Sequence, residues 1–347
     1  MVLSARITGI KYTPLLCRKL ATYRIDKLGD ALIKDASFFL EINCEKIAVS
    51  WWVSAKRTRS YPYARVYDTL GFSGKKLTII PIVKDEGVEG DRDFLQWDTV
   101  SLMSLLGIYV IVAYYRDASQ STRYKNKIRK QKFDLDYIKR QIKALLSYQS
   151  DPLHWNLSQI DKIGIIGRKA LYSYSKISRK LGVKMHSVPS AEKRIEELLK
   201  GKEKFMVLSR NLAKKAQMRE STTIQPKEKL IGIKAILTIK NYLGGEYYFT
   251  SDEVEINKNK IYLIEAKHTR KGNLPSLGDI KDGLLKMILF TNLVDVEMGN
   301  RKYLSIPVLK LTTDRRFNIA RLSRSQIEIM DLLKKEAEVN GFELVIE

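Results

Sequence analysis

Three segments rich in β-branched and aromatic residues follow one another between residues 231 and 267, separated by two turn signals. The first turn contains Gly244-Gly245 and the second is Asn257-Lys258-Asn259-Lys260. Turns this short favour neighbouring antiparallel strands. With the patterns around them, they predict a helix at 205–220, strands at 231–242, 247–256 and 261–267, a helix at 277–293, a strand at 303–311, a helix at 323–339 and a short terminal strand.

The third of these strands, IYLIEAKHT, changes from apolar to charged residues near its end. Because side chains alternate between the two faces of a strand, Glu265 and Lys267 share one face with Ile261 and Leu263. Asp252 in the preceding strand is one tight hairpin away, so it can lie beside Glu265. We therefore expect two acids and an ammonium group at one end of this sheet.

Two carboxylates this close repel each other unless a cation lies between them. Hard oxygen ligands that leave room for water suit Mg²⁺. Such a metal lowers the pKa of a bound water and stabilises the charge that develops during phosphodiester hydrolysis. Lys267 is placed to hold the attacking water and neutralise the phosphate. The predicted catalytic group is Asp252, Glu265 and Lys267, with Mg²⁺ on the two acids.

The motif Ser251-Asp252 followed by Glu265-Ala266-Lys267, in this order of elements, resembles that of the PD-(D/E)xK nuclease superfamily. The resemblance covers roughly residues 205–312. It implies an α/β fold with a PD-(D/E)xK nuclease core (helix, three strands, helix, strand) and a mixed α/β N-terminal part. In that family the first acid and the glutamate bind the metal, and the lysine assists the nucleophilic water. Ser251 stands where the family frequently has proline, a position that does no chemistry.

A long, non-repetitive basic N-terminal part fused to such a core is similar to the arrangement in type II restriction endonucleases. The resemblance implies Mg²⁺-dependent hydrolysis of double-stranded DNA at a specific sequence, a homodimer with one active site for each strand, and a cognate DNA methyltransferase in the same cell. Two alternatives stay open at this point. One is a structure-specific nuclease of repair or recombination, and the other is a non-catalytic DNA-binding protein on a nuclease fold.

The acid-x-lysine pattern has competing interpretations in a lysine-rich chain. Asp279-Ile280-Lys281 supplies a second instance, at what looks like the start of a helix. The plain alternative for Glu265 and Lys267 is a solvated ion pair on an exposed edge strand. The apolar strand before the motif, and the helix and strand after it, favour the nuclease interpretation.

The other charged residues near the motif have less specific predicted roles. Glu220, at the end of the first helix, is either an auxiliary metal ligand, as in some members of that superfamily, or a solvated helical glutamate. Glu253 and Glu255 alternate away from Asp252, so we expect both to face solvent. Lys286 either reaches a phosphate or forms a surface ion pair with Asp282, one helical turn earlier.

The chain carries 62 Lys and Arg residues against 39 Asp and Glu residues, a net charge of +23. Such a surplus favours a polyanionic partner. Nucleic acid is preferred to an anionic membrane, because the sequence shows no long amphipathic helix and no lipidation signal. The predicted DNA-binding residues form three groups. The first alternates with aromatic residues and contains Lys56, Arg57, Arg59 and Arg65. The second is the basic run Arg123, Lys125, Lys127, Arg129 and Lys130, whose alternative interpretation is a solvated linker, and the third is Lys286.

Changes in residue pattern and charge along the sequence divide the chain into three parts. We expect a mixed α/β basic DNA-recognition part at 1–150, a helical connector at 151–204 and the catalytic domain at 205–347. The apolar run at 100–115 is shorter than the ~20 residues that a spanning helix needs, and it predicts a helix followed by a buried strand. The acidic cluster of Asp91, Asp93 and Asp98 is expected to be a structural loop.

The cellular compartment is inferred from two features of the sequence. The first residues lead into polar sequence rather than into an apolar secretory signal. Cys17 and Cys44 are the only cysteines, which excludes a disulfide scaffold and suits a reducing compartment. We therefore expect a cytoplasmic protein with no membrane partner.

Overall fold

A computed structural model of the chain describes residues 1–56, 61–199, 233–241, 246–270, 273–314 and 317–347. The strands are β1 Val2–Ile7, β2 Thr22–Arg24, β3 Ser37–Ile42, β4 Glu45–Trp51, β5 Lys76–Pro81, β6 Val83–Asp85, β7 Arg92–Phe94, β8 Ile108–Ala113, β9 Tyr115–Gln120, β10 Ile128–Phe133, β11 Ile233–Asn241, β12 Glu246–Asn257, β13 Lys260–Thr269, β14 Val294–Met298, β15 Arg301–Thr313 and β16 Glu343–Ile346. The helices are α1 Leu28–Lys34, α2 Pro62–Leu70, α3 Trp97–Leu105, α4 Leu135–Leu146, α5 Pro152–Asp161, α6 Ile163–Leu181, α7 Val188–Leu199, α8 Leu277–Phe290 and α9 Arg324–Asn340.

The chain divides into two units that differ from the predicted parts. The terminal unit contains Met1–Lys19 and Arg210–Glu347, and the central unit is Leu20–Ser209. The expected division at residue 150 is wrong, because α5 packs on β8 and α6 packs on β9 within the central unit. The first strand, expected in the N-terminal part, pairs with β11 and β14 in the terminal unit. Local patterns do not reveal a pairing between strands this far apart in sequence.

The central unit is built on a sheet of order β2-β3-β4-β5-β8. Strands β4, β5 and β8 run parallel, and β3 is antiparallel to β4. Every residue of β8 is buried, as expected for a strand of a parallel sheet, and α3, α4 and α5 pack on it. The predicted helix and buried strand at 100–115 are confirmed as α3 and β8.

The terminal unit is built on a sheet of order β13-β12-β11-β1-β14-β15-β16. Because β13 also pairs with β15, six of these strands form a closed ring. Strands β11, β12 and β13 are successively antiparallel, and β15 is parallel to β13 after the crossover helix α8. Three strands, a helix and a strand therefore follow in the predicted order, while β1 and β14 were not expected there. The helix predicted at 205–220 lies outside the described residues.

A buried carboxylate holds the N-terminal segment on α9 within the terminal unit. Glu336 is 0% exposed, and its oxygens accept hydrogen bonds from the Tyr12 hydroxyl at 2.7 Å and from the backbone N–H groups of Leu15 and Leu16 at 2.8 and 3.1 Å. These bonds satisfy backbone donors that no strand or helix pairs. Glu336 therefore connects two segments at opposite ends of the chain.

Replacing Glu336 tests this connection. We expect Glu336→Ala to lower the free energy of unfolding by at least about 2 kcal/mol, because one buried and two partly buried donors lose their acceptor. Urea denaturation measures the change. Glu338→Ala, an exposed position on the same helix, is the control and should stay within about 0.5 kcal/mol of the parent. Equal values for the two variants would contradict the assigned role of Glu336.

Candidate active site

The site lies where β12 and β13 run side by side. Glu253 pairs with Ile264, and Asp252 and Glu265 are the next residues beyond this pair on the two strands. One carboxylate oxygen of Asp252, Oδ2, accepts a hydrogen bond from the backbone N–H of Ala266 at 2.9 Å. Lys267 follows on the same face of β13 as Glu265. The hairpin thus brings together the three residues that the motif predicts.

The carboxylate of Glu265 is buried, with 1% exposure, and both of its oxygens are paired. Lys267 Nζ lies 2.8 Å from Oε1, and Lys286 Nζ lies 2.6 Å from Oε2. Burial raises the pKa of Glu265, but the two ammonium groups outweigh it and lower the pKa to about 2. Glu265 is therefore ionised at every physiological pH.

The pKa of Asp252 is shifted in the opposite direction. Burial raises its pKa, the charge of Glu265 raises it further, and the ammonium groups of Lys286 and Lys267 compensate only in part, so that the pKa is about 7. At neutral pH Glu265 is thus fully ionised, whereas Asp252 is partly protonated. This is the behaviour of two carboxylates that share one small site.

Lys267 is held between two acids. Its Nζ also donates to Asp282 Oδ2 at 3.2 Å. Burial lowers the pKa of Lys267, but the charges of Glu265 and Asp282 raise it above its ordinary value. Lys267 is therefore an ammonium donor and not a base at neutral pH.

Helix α8 supplies the remaining charges of the site. Asp282 and Lys286 lie one turn apart, on the face that packs on β13 and β15. The helix begins with Ser276, whose hydroxyl accepts from the Asp279 N–H at 3.2 Å. The alternative triplet Asp279-Ile280-Lys281 therefore opens a helix and does not end a strand.

Gly283 permits the close approach of α8 to the strands. A Cβ at this position would lie 2.8 Å from Leu309 Cδ1 and 3.3 Å from Lys267 Cε. The missing side chain therefore leaves the space through which the stem of Lys267 reaches Glu265. A glycine in the middle of a helix costs stability, and here the packing of Lys267 explains its presence.

The donors available to a metal are Asp252 and Glu265. Within the described ranges, no group of three or more His, Cys, Asp or Glu side chains is arranged to hold a metal ion. Glu220, the predicted auxiliary ligand, lies outside those ranges. Two carboxylates are nevertheless a sufficient protein contribution for Mg²⁺, which commonly keeps several waters.

Two residues of the cluster differ from the sequence-based expectation. Lys286 was expected to contact a phosphate or to pair with Asp282; its Nζ pairs with Glu265, and the phosphate contact stays a prediction. Asp282 pairs with Lys267. The helical spacing of Asp282 and Lys286 indicates a shared face, but only the packing of α8 shows that this face meets the hairpin.

The expectation for Glu253 is wrong, whereas Glu255 is exposed as expected. Glu253 is 3% exposed, and its Oε2 has no hydrogen-bond partner among the described residues. The register between β11 and β12 shifts between Ile233 and Ala235. Such a shift breaks the strict alternation of side chains on which the expectation depended.

Several predicted DNA-binding residues have partners inside the central unit. Lys56 Nζ lies 3.0 Å from Asp93 Oδ1, a buried carboxylate of β7. Lys127 Nζ lies 3.4 Å from Glu86 Oε2. The guanidinium of Arg65 stacks on the ring of Trp51, with 4.4 Å to the centroid. Part of the positive charge is thus used to balance buried acids.

The other predicted DNA-binding residues of the central unit fall into two groups. Arg123, Lys125, Arg129 and Lys130 are exposed on the β9–β10 hairpin and its loop. Arg57 and Arg59 lie outside the described residues. Of the acidic cluster, Asp93 also accepts from the Ser54 hydroxyl at 2.7 Å, in keeping with a structural role.

Comparison of the chain with protein-family models gives no match, and comparisons with curated proteins and with solved structures give none either. In the part of the chain that the structure describes, no helix is both long and apolar enough to cross a membrane.

The pairing of Glu265 predicts a large effect of truncation on stability. We expect Glu265→Ala to lower the free energy of unfolding by about 3–5 kcal/mol, because Lys267 and Lys286 then face a buried site without their shared counter-charge. Urea denaturation in the presence of a chelator measures the change. Glu255→Ala, at an exposed position of β12, is the control. A loss below about 0.5 kcal/mol for Glu265→Ala would contradict the described pairing.

Proposed function

We propose that the chain is a Mg²⁺-dependent endonuclease that hydrolyses DNA phosphodiester bonds at a specific sequence, as a homodimer, in the manner of the type II restriction endonucleases that its motif resembles. The observation that carries the proposal is the juxtaposition of Asp252 and Glu265, in which the charge of Glu265 contributes to raising the pKa of Asp252 to about 7. Neighbouring buried acids with strongly shifted pKa values are typical of catalytic sites and not of a solvated strand edge.

The pair of acids suits Mg²⁺. Asp252 and Glu265 would hold the ion, since one or two carboxylates are enough when waters and a substrate phosphate complete the octahedral shell. The positive ion would then stabilise the ionised form of Asp252, which burial and the charge of Glu265 disfavour in the free protein. When bound, Mg²⁺ supplies a water of lowered pKa and stabilises the charge of the transition state.

Lys267 contributes charge and hydrogen bonds. Because the neighbouring acids raise its pKa, it stays protonated and donates from Nζ. Its role is to orient the attacking water and to neutralise a phosphate oxygen. Its position is secured by Asp282 at 3.2 Å and by the space over Gly283.

A second candidate, a non-catalytic DNA-binding protein, is favoured by one observation. Both oxygens of Glu265 already face ammonium groups, at 2.8 Å for Lys267 and 2.6 Å for Lys286. Such a cluster is electrostatically balanced without a metal. A metal ion held by Glu265 would compete with Lys286 for this carboxylate.

The activity is tested by incubating plasmid DNA with the purified chain and Mg²⁺. We expect discrete fragments from the parent protein. Asp252→Asn, which keeps an acceptor for the Ala266 N–H, and Lys267→Met should each reduce cleavage by at least ~10²-fold, because one loses a metal ligand and the other the ammonium donor. Both should still bind DNA in Ca²⁺, which coordinates more loosely than Mg²⁺.

The matched control is Glu255→Gln, an exposed acid of the same strand, which should cleave at the parent rate. Cleavage by Lys267→Met at close to the parent rate would refute the site. Nicks that require branched DNA would favour a repair or recombination nuclease. A mobility shift without cleavage by the parent protein would favour the non-catalytic alternative.

A further inference from the structure

A concave surface of the central unit lies between the β9–β10 hairpin, the first turn of α4 and one face of α6. It encloses about 950 Å³. Three carboxylates and six cationic side chains line it, the cations being Arg116, Lys132, Arg140, Lys169, Lys176 and Lys180. We call this surface the α6 groove. It belongs entirely to the central unit and is separate from the cluster around Glu265.

The three carboxylates are already engaged. Asp117 Oδ1 lies 2.9 Å from Lys180 Nζ, and this hydrogen bond lowers the pKa of Asp117. Asp134 caps α4 by accepting from the Tyr137 N–H at 2.9 Å. Asp136 Oδ2 lies 3.3 Å from Arg116 Nη1. The acids of the groove therefore offset Lys180 and Arg116, and Asp134 caps α4. Lys132, opposite Asp117 in the pair of β9 and β10, also lowers the pKa of Asp117.

Four cations are left without a carboxylate within ion-pair distance in the described part of the chain: Lys132, Arg140, Lys169 and Lys176. All four are exposed. Elsewhere in the same unit, by contrast, Lys84 and Lys127 both lie within 3.4 Å of Glu86. Like charges gathered on a concave surface repel each other and focus a positive potential. An anionic partner removes that unfavourable energy.

The arrangement of these charges fits an extended polyanion. Lys169 and Lys176 follow one face of α6, and 7 residues at 1.5 Å rise span about 10 Å. This length equals about three base pairs of duplex DNA, at 3.4 Å for each step. Lys132 and Arg140 lie on β10 and α4, across the groove from that face. A row of this length matches a phosphate backbone better than a single phosphate group.

The aromatic residues of the groove favour duplex over single-stranded nucleic acid. Tyr172 is 60% exposed, and Lys176 Nζ lies 4.5 Å from the centre of its ring. Tyr114 is half-buried, with its hydroxyl 3.0 Å from Asp134, and Phe133 is buried. Single-strand binding uses a series of exposed rings on which successive bases stack. One exposed tyrosine does not provide such a series, so the groove suits the backbone of a duplex better than single-stranded nucleic acid.

We propose that the α6 groove binds the phosphate backbone of double-stranded DNA. The inference rests on the proposed function, because it assigns a contact region to the substrate of that nuclease. It places this contact on Lys132, Arg140, Lys169 and Lys176, none of which belongs to the basic run Arg123–Lys130. The contact is independent of sequence, since phosphate recognition positions the duplex and does not read bases.

The test compares two full-length variants with the same loss of charge. In the groove variant, Lys132, Arg140, Lys169 and Lys176 are changed to Gln; in the control variant, the exposed residues Lys27, Lys34, Lys162 and Lys193 are changed to Gln. Fluorescence anisotropy of a labelled 30-base-pair duplex is measured with a chelator between 50 and 200 mM salt. Thermal unfolding checks that both variants fold.

We expect the groove variant to bind the duplex at least ~10-fold more weakly at low salt. The slope of log affinity against log salt should become less negative by up to about 3.6, because each phosphate contact contributes about −0.9. The control variant should keep the parent slope. An unchanged slope in the groove variant, an equal loss in the control variant, or no binding of DNA by the parent protein would overturn the proposal. A groove-dependent loss with polyglutamate or duplex RNA but not with DNA would overturn it too.

Because the measurement needs no cleavage, the two proposals fail separately. If the parent protein cuts DNA but the groove variant keeps the parent salt slope, the nuclease proposal is supported and the groove proposal is refuted. If the salt slope depends on the groove residues but the parent protein does not cut DNA with Mg²⁺, the groove proposal is supported and the nuclease proposal is refuted.

Discussion

The ionised carboxylate of Glu265 is the charge around which the terminal unit is organised. Its two counter-ions come from different elements, Lys267 from β13 and Lys286 from α8, so the ion pairs join the helix to the strand. A buried ion pair must be complete, because removal of one partner leaves a charge that water cannot solvate. The interactions that position α8 are therefore the same ones that set the charge state of Asp252 and Lys267, and structure and proposed chemistry depend on one cluster.

The positive charge of the chain has two distinct uses in the central unit. Lys56, Lys84 and Lys127 balance buried carboxylates, which is a structural requirement and leaves less of their charge for a partner. The cations of the α6 groove that lack a carboxylate stay exposed on a concave surface. Net charge alone does not distinguish the two groups, although it indicates a polyanionic partner. The distinction depends on where the 39 acidic residues lie relative to the cations.

Agreement between prediction and structure is highest where interactions are local. The strands β11, β12 and β13, the helix α8 and the strand β15 follow the predicted order, because hydrophobic periodicity and turn residues specify elements over short windows. Asp252 and Glu265 lie close together because one tight hairpin joins their strands. The expectation for Glu253 was wrong because the register shift between β11 and β12 is not visible in the residue pattern.

The amino-acid order alone thus specified the elements, the hairpin and the charged triplet Asp252, Glu265 and Lys267. Tertiary packing decided the rest: β1 between β11 and β14, Lys286 on Glu265, Glu336 on the N-terminal segment, and the meeting of β10, α4 and α6 cations in one groove. The physical reason is that a local pattern shows which face of an element is apolar or charged, whereas the partner of that face depends on contacts between residues far apart in the chain. Those contacts form only when the whole unit closes around its core.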